Sequence, residues 1–211
     1  NGIGKRTILD AYRPQTRGGK GSKGSTTRDA DFIEHMFTAT AHNYLLLFTE
    51  KGRCFWMKVY EIPEGSKASK GRAIQNLINI PSDDKILAFI PIKDLKDEEF
   101  LDSHYMLFAT KNGTVKKTSL REYSRPRTNG VNAINIKEGD ALVRVRLTTG
   151  DSEVLLATKK GRAVRFNESD SRPMGRTATG VRGVRLNGDD DELIGMVAIS
   201  KDDKESTILV P

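Results

Sequence analysis

A repeat of about 50 residues constrains the fold of this chain more than any other feature. Three segments begin with an apolar run, pass through Lys-Gly or Asn-Gly, and end in a run that carries basic residues. They are YLLLFTEKGRCFWMKVYEIP from Tyr44, YMLFATKNGTVKKTSLREYS from Tyr105 and EVLLATKKGRAVRFNESDSR from Glu153. Each predicts a β-hairpin in which glycine supplies the positive φ of a tight turn. A fourth turn starts the chain, because Asn1-Gly2 precedes IGKRT as Asn112-Gly113 precedes TVKKT.

A second glycine follows each of these turn glycines at a near-constant distance. The turn glycines are Gly2, Gly52, Gly113 and Gly161, and the second glycines, 19, 19, 17 and 19 residues downstream, are Gly21, Gly71, Gly130 and Gly180. Alternating stretches follow three of the second glycines (GRAIQNLINI, GVNAINI and GVRGVRL), and this alternation predicts half-buried strands. The third repeat is preceded by a charged insertion, residues 93–104, which predicts a surface loop or one short helix.

The repeats divide the chain roughly into residues 1–50, 51–111, 112–159 and 160–211, each with about four short strands. This period is typical of antiparallel blades in a propeller-like ring, and no segment has a long helical period. We therefore predict an all-β single domain with about four blades of four strands each. Two unrelated β-sandwiches are the alternative, but they do not predict constant offsets. Either the two ends pair to close a ring or the sequence is a piece of a longer array, which we favour.

Positive charge is in phase with this repeat. The net charge is +7 and the pI about 9.5, which favours a polyanionic partner such as nucleic acid or an anionic membrane face. Basic residues predominate in 1–30, 111–130 and 157–186, whereas acidic residues collect in 83–104 and 187–206. On a ring of blades, equivalent positions fall on one rim, and a basic rim suits a long, bent polyanion. Solvated surface charge is the alternative, but it does not explain the phase.

Other site classes find little support in the sequence. No apolar run approaches the roughly 20 residues of a membrane-spanning helix, and the one cysteine, Cys54, lies among apolar residues that indicate a buried thiol. The histidines and Cys54 lack metal-ligand spacing. The glycine-rich segment is not a phosphate-binding P-loop, because Gly21 follows Lys20 where serine or threonine is required. We expect the acidic run 189–192 to be a solvated loop.

The heptapeptide QTRGGKG, residues 15–21, resembles the QRRGGKG signature of the DNA-wrapping C-terminal domain of DNA gyrase A subunits, with Thr16 replacing an arginine. Three longer segments resemble successive blades of that domain, so the resemblance covers essentially the whole chain: FIEHMFTATAHNYLLLFTEKGRCFWMKVYEIPE, NGTVKKTSLREYSRPRTNG and AVRFNESDSRPMGRTATGVRGVRL. These blade motifs are shared with topoisomerase IV A subunits, whose heptapeptide is usually degraded or missing. Gyrase is therefore the better match.

The resemblance implies a β-pinwheel, a ring of blades that exchange strands, commonly six in the family against about four here. It implies a non-catalytic domain that bends double-stranded DNA around a basic rim and presents a positively crossed segment for negative supercoiling. The implied partners are the gyrase A breakage-reunion domain, which holds the catalytic tyrosine, and gyrase B, in the bacterial cytoplasm. No cofactor or metal is expected in this domain, since ATP and Mg²⁺ are used elsewhere in the parent complex. A protein-binding β-propeller is the competing class.

We call residues 15–21 box 1 and its counterparts at 65–71, 124–130 and 174–180 boxes 2, 3 and 4. The resemblance implies DNA contacts for box 1, and the repeat extends weaker contacts to the later boxes and to basic hairpin residues. The predicted DNA-binding residues are Gln15, Arg17, Gly18, Gly19, Lys20, Gly21, Lys23, Lys67, Lys70, Arg72, Lys116, Lys117, Arg125, Arg127, Arg165, Arg176 and Arg182.

Overall fold

The computed structural model describes residues 2–12, 14, 16–21, 24–26 and 32–203, and in these residues it forms four antiparallel sheets. The strands are β1 (Ile3–Gly4), β2 (Tyr44–Thr49), β3 (Arg53–Lys58), β4 (Arg72–Ala73), β5 (Ile86–Ile92), β6 (Tyr105–Thr110), β7 (Thr114–Ser119), β8 (Val131–Asn132), β9 (Leu142–Thr148), β10 (Glu153–Thr158), β11 (Ala163–Asn167), β12 (Val181–Arg182) and β13 (Leu193–Ile199). Short 3₁₀ turns occupy Leu9–Ala11, Val59–Glu61, Ile74–Asn76, Leu120–Tyr123 and Glu168–Asp170. The all-β prediction is confirmed, and the charged insertion contains one short helix, α1 (Glu98–Ser103).

The predicted hairpins form the centre of each blade. Strands β2 and β3 turn at Gly52, β6 and β7 at Gly113, and β10 and β11 at Gly161. A third strand then pairs with the first strand of each hairpin, as β5 does with β2, β9 with β6 and β13 with β10. Strand β9 contacts both β5 and β13. The third strands therefore lie on the inner side of successive blades, and the second strands of the hairpins lie toward the outside.

Neighbouring repeats exchange a strand at this outer edge. The short strands after Gly71, Gly130 and Gly180 pair with a strand of the preceding repeat, β4 with β1, β8 with β3 and β12 with β7. The register is the same each time, because the residue after the second glycine lies opposite the residue two positions beyond the turn glycine. The pairs are Arg72 with Gly4, Val131 with Cys54, and Val181 with Val115. The β-pinwheel is confirmed by this exchange.

The outer strands are shorter than the alternating sequence predicts, since β4, β8 and β12 each have two residues. After its second residue the chain bends over the turn of the preceding hairpin. The N–H groups of Ala133 and Ile134 both donate to the Gly52 carbonyl, at 2.8 and 3.2 Å. Gly52 has φ +81°, and a Cβ there would lie 2.6 Å from the Ile134 oxygen. The alternating side chains are buried, but their backbone is not in a sheet.

Two sheets have four strands, as predicted, whereas in the described residues the other two have three and two. The exchange accounts for the three-stranded sheet, β11-β10-β13, because in each four-stranded sheet the outer strand belongs to the next repeat in the sequence. No repeat after that of Gly161 occurs in the 211 residues to pair with β11. The edge of β11 is accordingly exposed at Ala163, Val164 and Arg165.

The cores lie between successive sheets. Phe48 of β2 meets Phe108 of β6 edge to face, with ring centroids 5.4 Å apart, while Leu45 and Leu47 pack in a second cluster on the other face of β2. Both faces of β2 and β6 are therefore buried, which explains their continuous apolar sequences. Strand β10 alternates between buried and partly buried residues. Cys54 is fully buried, as predicted, and burial raises the pKa of its thiol.

Two kinds of feature are absent from the described residues. None of their helices is long and apolar enough to cross a membrane. They also contain no group of three or more His, Cys, Asp or Glu side chains that could hold a metal ion.

Candidate nucleic-acid interface

The four boxes share a β-turn that begins 14 residues after the turn glycine of each repeat. In each turn the N–H of the fourth residue donates to the carbonyl of the first, at 3.0 to 3.1 Å; the pairs are Gly19 with Thr16, Ser69 with Ser66, Gly130 with Arg127, and Ala178 with Gly175. We call these the box turns. Their second residues are Arg17, Lys67, Thr128 and Arg176. Three of the four repeats therefore place a basic side chain at the same corner of the fold.

Box 1 differs from the others in its glycine pair. Gly18, the third residue of the box turn, has φ +85°, a conformation that favours glycine at this position. A Cβ on Gly18 or Gly21 would meet nothing within 4 Å, so the backbone here is open to an approaching ligand. Arg17 and Lys20 are exposed beside it. Gln15 and Lys23 lie outside the described residues.

Most of the predicted box residues carry charge that the protein does not neutralise. Seven of the predicted basic side chains are exposed and make no ion pair with any described residue. They are Arg17, Lys20, Lys70, Arg72, Arg125, Arg127 and Arg182. All seven belong to a box or follow a second glycine by one or two residues. Those of boxes 2, 3 and 4 lie beside the exchanged strands on the outer side of the blades, where a long anion can reach several repeats at once.

Three further predicted residues are partly engaged. The Lys67 ammonium lies 4.7 Å from the centroid of the Tyr12 ring. Arg165 Nε donates to Glu153 at 2.8 Å, and Arg176 Nε lies 3.5 Å from the Glu122 carboxylate. Exposed pairs of this kind contribute little stability, so a phosphate can compete for these cations.

Lys116 and Lys117 correct the sequence prediction. Their side chains are 0% and 4% exposed, so they are not available to DNA. Lys116 Nζ donates to the carbonyls of Ala133 and Arg176, both at 2.7 Å. Lys117 Nζ donates to the Glu168 carbonyl at 2.9 Å. Burial lowers the pKa of both lysines, that of Lys116 to about 8.

The lysines of the hairpin turns are neutralised by the acidic stretches. Lys51 pairs with Asp83, Lys160 pairs with Asp190, and Lys111 lies 3.0 Å from Glu192. These acidic side chains therefore bind hairpin turns. Charge alone does not distinguish these lysines from the basic residues of the boxes, but in the structure the three hairpin-turn lysines are paired with acid and most box residues are not.

An aspartate also fixes each of these hairpin turns, buried at Asp84 and Asp191 and half-buried at Asp140, and sequence reasoning missed it. Asp84, Asp140 and Asp191 accept backbone N–H bonds from Lys51, Asn112 and Lys160 at 2.9 to 3.1 Å. Each aspartate stands two residues before a third strand, a spacing that would have revealed it.

Asp191 corrects the expectation of a solvated loop at residues 189–192, because its side chain is only 4% exposed. Burial raises the pKa of Asp191, yet the net pKa is below its usual value. Hydrogen bonds from the N–H groups of Asn187, Lys160 and Glu192 stabilise the carboxylate and lower this pKa. The aspartate is thus part of the hairpin turn's support.

The family model described as "DNA gyrase C-terminal domain, beta-propeller" matches residues 1–40, 43–93, 104–149 and 152–200. This chain belongs to the DNA gyrase C-terminal domain family. The four matched segments of the gyrase domain follow its four repeats, and the unmatched residues 94–103 contain α1. The expected resemblance is confirmed.

Curated relatives of this gyrase domain are DNA gyrase A subunits. That of Halalkalibacterium halodurans is 47% identical over 184 residues, which cover 87% of this chain and 22% of the relative. That of Salmonella typhimurium is 44% identical over 189 residues, 90% of this chain and 21% of the relative. The chain therefore spans about a fifth of the length of these relatives.

Two solved structures share the fold of the gyrase domain. The C-terminal domain of DNA topoisomerase IV is 34% identical, with a TM-score of 0.77 over 96% of this chain and 59% of that one. A DNA gyrase A C-terminal domain is 23% identical, with a TM-score of 0.65 over 93% of this chain and 61% of that one. At 23% identity, the similarity to the solved gyrase A domain supports the shared fold only.

Proposed function

We propose that this domain binds duplex DNA along the outer side of its blades and bends it. The observation that carries the proposal is the division of basic residues into two sets. Most basic residues of the boxes are exposed and unpaired in the described structure, whereas the hairpin-turn lysines are paired with acid. A path of unneutralised cations that repeats with the blades matches a polyanion that follows the curve of the domain.

The contacts are of a kind that reads the shape of DNA. Lysine and arginine meet phosphate oxygens, and the open backbone at Gly18 and Gly21 allows close approach of amide groups. Such contacts carry no base code, so we expect weak sequence preference. Bending a site of 20 to 30 base pairs costs roughly 1 to 6 kcal/mol, which contacts spread over several boxes must offset.

The role of the parent protein is a further part of the proposal. We infer that the chain acts as the non-catalytic wrapping domain of a type II topoisomerase A subunit, with the breakage-reunion domain and gyrase B as partners in the bacterial cytoplasm. The DNA it bends presents a positively crossed segment for negative supercoiling, and ATP and Mg²⁺ are used elsewhere in that complex. The equivalent domain of topoisomerase IV is the second candidate, favoured by the TM-score of 0.77 to the solved topoisomerase IV domain. The glycine pair of box 1 and the gyrase relatives favour gyrase.

The first test is the salt dependence of binding to a long duplex. The logarithm of the affinity should fall linearly with the logarithm of salt concentration, with a slope of about −0.9 for each phosphate neutralised. Seven exposed cations set a slope of up to about −6. Gel shifts over a series of salt concentrations measure it. An affinity that hardly changes with salt would refute the basic path, and no affinity at all would favour a protein-binding β-propeller.

The second test concerns box 1. Replacing Arg17 and Lys20 with alanine should reduce DNA bending more than affinity, because the other boxes still hold the duplex. Bending is measured by the change in linking number of a relaxed, religated circle. The matched control is the double replacement Lys51→Ala and Lys160→Ala, which removes the same charge from paired lysines. Equal bending by the box variant and the control would show that box 1 does not organise the wrap.

A further inference from the structure

Each box turn leaves one backbone carbonyl without a partner inside the turn. The carbonyl of the first residue accepts from the fourth, so the carbonyl of the second residue is available to a donor from elsewhere in the fold. In box 2 that donor is Lys5. Its Nζ donates to the carbonyls of Ser66, Lys67 and Ser69 at 2.8, 2.8 and 3.1 Å. One ammonium thus binds three carbonyls of a single box turn.

Lys116 makes the equivalent contact to box 4. Lys5 and Lys116 both stand three residues after a turn glycine, and each donates to the second residue of the box turn in the next repeat. Lys116 Nζ reaches the Arg176 carbonyl at 2.7 Å and also binds Ala133, in the chain that leaves box 3. Burying an ammonium is costly unless carbonyl oxygens replace its water. The Lys116 ammonium therefore remains bound to the carbonyls of box 4 and of the chain that follows box 3.

The exception follows the same logic. The equivalent residue of the second repeat is Phe55, and the next box, box 3, has Thr128 at the second position of its turn. Box 3 is also two residues shorter between turn glycine and second glycine. Its Gly130 sits against the ring instead, since a Cβ there would lie 2.6 Å from Phe55 Cε1. A lysine at this position thus contacts boxes 2 and 4, which have a basic second residue in the box turn, and is absent from the contact to box 3, which has not.

We propose that Lys5 and Lys116 are positioning residues for the nucleic-acid interface. Each ammonium fixes the box turn of the following repeat, and so sets the direction in which Lys67 or Arg176 projects from the outer side of the blades. Neither lysine contacts DNA. The effect on DNA rests on the proposed function, whereas the hold on the turn does not.

The hold on the turn is tested without DNA, by hydrogen exchange measured by NMR on the 211-residue chain. Lys116→Met keeps an unbranched side chain of similar length but has no donor. It should speed exchange of the Ala178 amide, which closes the turn of box 4, by about tenfold or more, and leave the Ser69 amide of box 2 unchanged.

Lys5→Met is the matched control for this measurement. It should speed exchange at Ser69 and spare Ala178, the reverse of the first variant. Equal changes at both amides in either variant, or no change at the predicted one, would overturn the proposal, because a general loss of stability does not choose between boxes.

The consequence for DNA is tested by a double-mutant cycle. Lys116→Met should lower duplex affinity several-fold in the native background and cause no further loss with Arg176→Ala, because the side chain it positions is then absent. With Arg125→Ala, in box 3, its effect should be undiminished. Additive losses in both backgrounds would overturn the role in binding.

These experiments distinguish failure of the proposed DNA binding from failure of the proposed contact between the lysines and the box turns. If the native chain fails to bind DNA, the proposed function falls while the exchange measurements still decide whether the lysines hold the turns. If Lys116→Met does not fold, Lys5→Met with Lys67→Ala carries the same cycle in box 2, with Arg125→Ala again as the unrelated background.

Discussion

At the scale of single residues, Lys116 and Lys117 show most clearly that a basic residue in the sequence need not be exposed on the surface. In the sequence NGTVKKT they look like any other basic pair in a hairpin. The residues equivalent to Lys116 in the other repeats are Lys5, Phe55 and Val164. Two of these three are apolar, and this pattern was the available signal that the Lys116 side chain points into the protein. Charge and spacing alone could not show it, because burial depends on the neighbouring repeat.

The burial of Lys116 predicts a specific pH dependence. Its pKa is lowered to about 8 by burial and by the nearby Arg176, against which Glu122 acts, while the usual value is 10.5. The Tyr123 hydroxyl, which donates to the same Ala133 carbonyl, has a pKa raised by burial and stays neutral. Between pH 8 and 10.5 the unfolded chain therefore keeps a proton that the folded chain has lost. Folded-state stability should rise with pH there.

The comparison with Lys116→Met isolates this effect from the other lysines. The free energy of unfolding of the native chain minus that of the variant should increase by at most about 1.4 kcal/mol per pH unit above pH 8, and stay constant below it. Urea denaturation at pH 7, 8, 9 and 10 measures it. A difference that is flat across this range would mean that the ammonium is not desolvated.

At the scale of elements, the hairpins follow from local sequence and their supports do not. Glycine at positive φ and an apolar first strand are enough to predict where β2–β3, β6–β7 and β10–β11 turn. The aspartates that bind these turns come 27 to 32 residues later, at Asp84, Asp140 and Asp191. An acidic residue in a loop is usually solvated, so one such residue alone does not predict a bond to an earlier turn, and only its recurrence before each third strand is a signal.

Replacing Asp84 with alanine should therefore destabilise the second blade. The backbone N–H groups of Lys51 and Lys85 both bond its carboxylate, at 3.1 and 2.9 Å, and would lose their partner. We expect a loss of about 1 to 3 kcal/mol in the free energy of unfolding, measured by urea denaturation. The neighbouring Asp83→Ala is the control, because it removes only an exposed pair with Lys51. If both variants lose the same stability, the buried contact is not what supports the turn.

At the scale of the whole molecule, strand exchange decides which charges share a surface. The register that joins each repeat to the one before it carries boxes 2, 3 and 4 to the outer edge of the preceding hairpins. The third strands meet on the inner side, and the acidic stretches that precede two of them reach the hairpin turns. Boxes 2, 3 and 4 therefore share one edge of the molecule because the repeated sequence is combined with the same strand exchange in each repeat.

Removing Arg125 and Arg127 together should lower the salt slope of DNA binding by up to about 1.8, since each exposed cation accounts for about 0.9. The slope is measured with the same long duplex used for the native chain. Lys111→Ala with Lys159→Ala is the control of equal charge, because both lysines lie within 4 Å of Glu192. A control that changes the slope as much as the box variant would show that position on the rim does not matter.

The sequence by itself determined the repeat, its all-β class, the hairpin turns and the family, because glycine conformation and apolar runs act over a few residues. It also located the boxes, whose turn falls at the same offset in every repeat. Only the tertiary structure decided which basic residues face solvent. Lys116 binds carbonyls 17 and 60 residues away, and Lys51 is neutralised by an aspartate 32 residues away. Such contacts depend on how neighbouring blades pack, which local sequence does not encode.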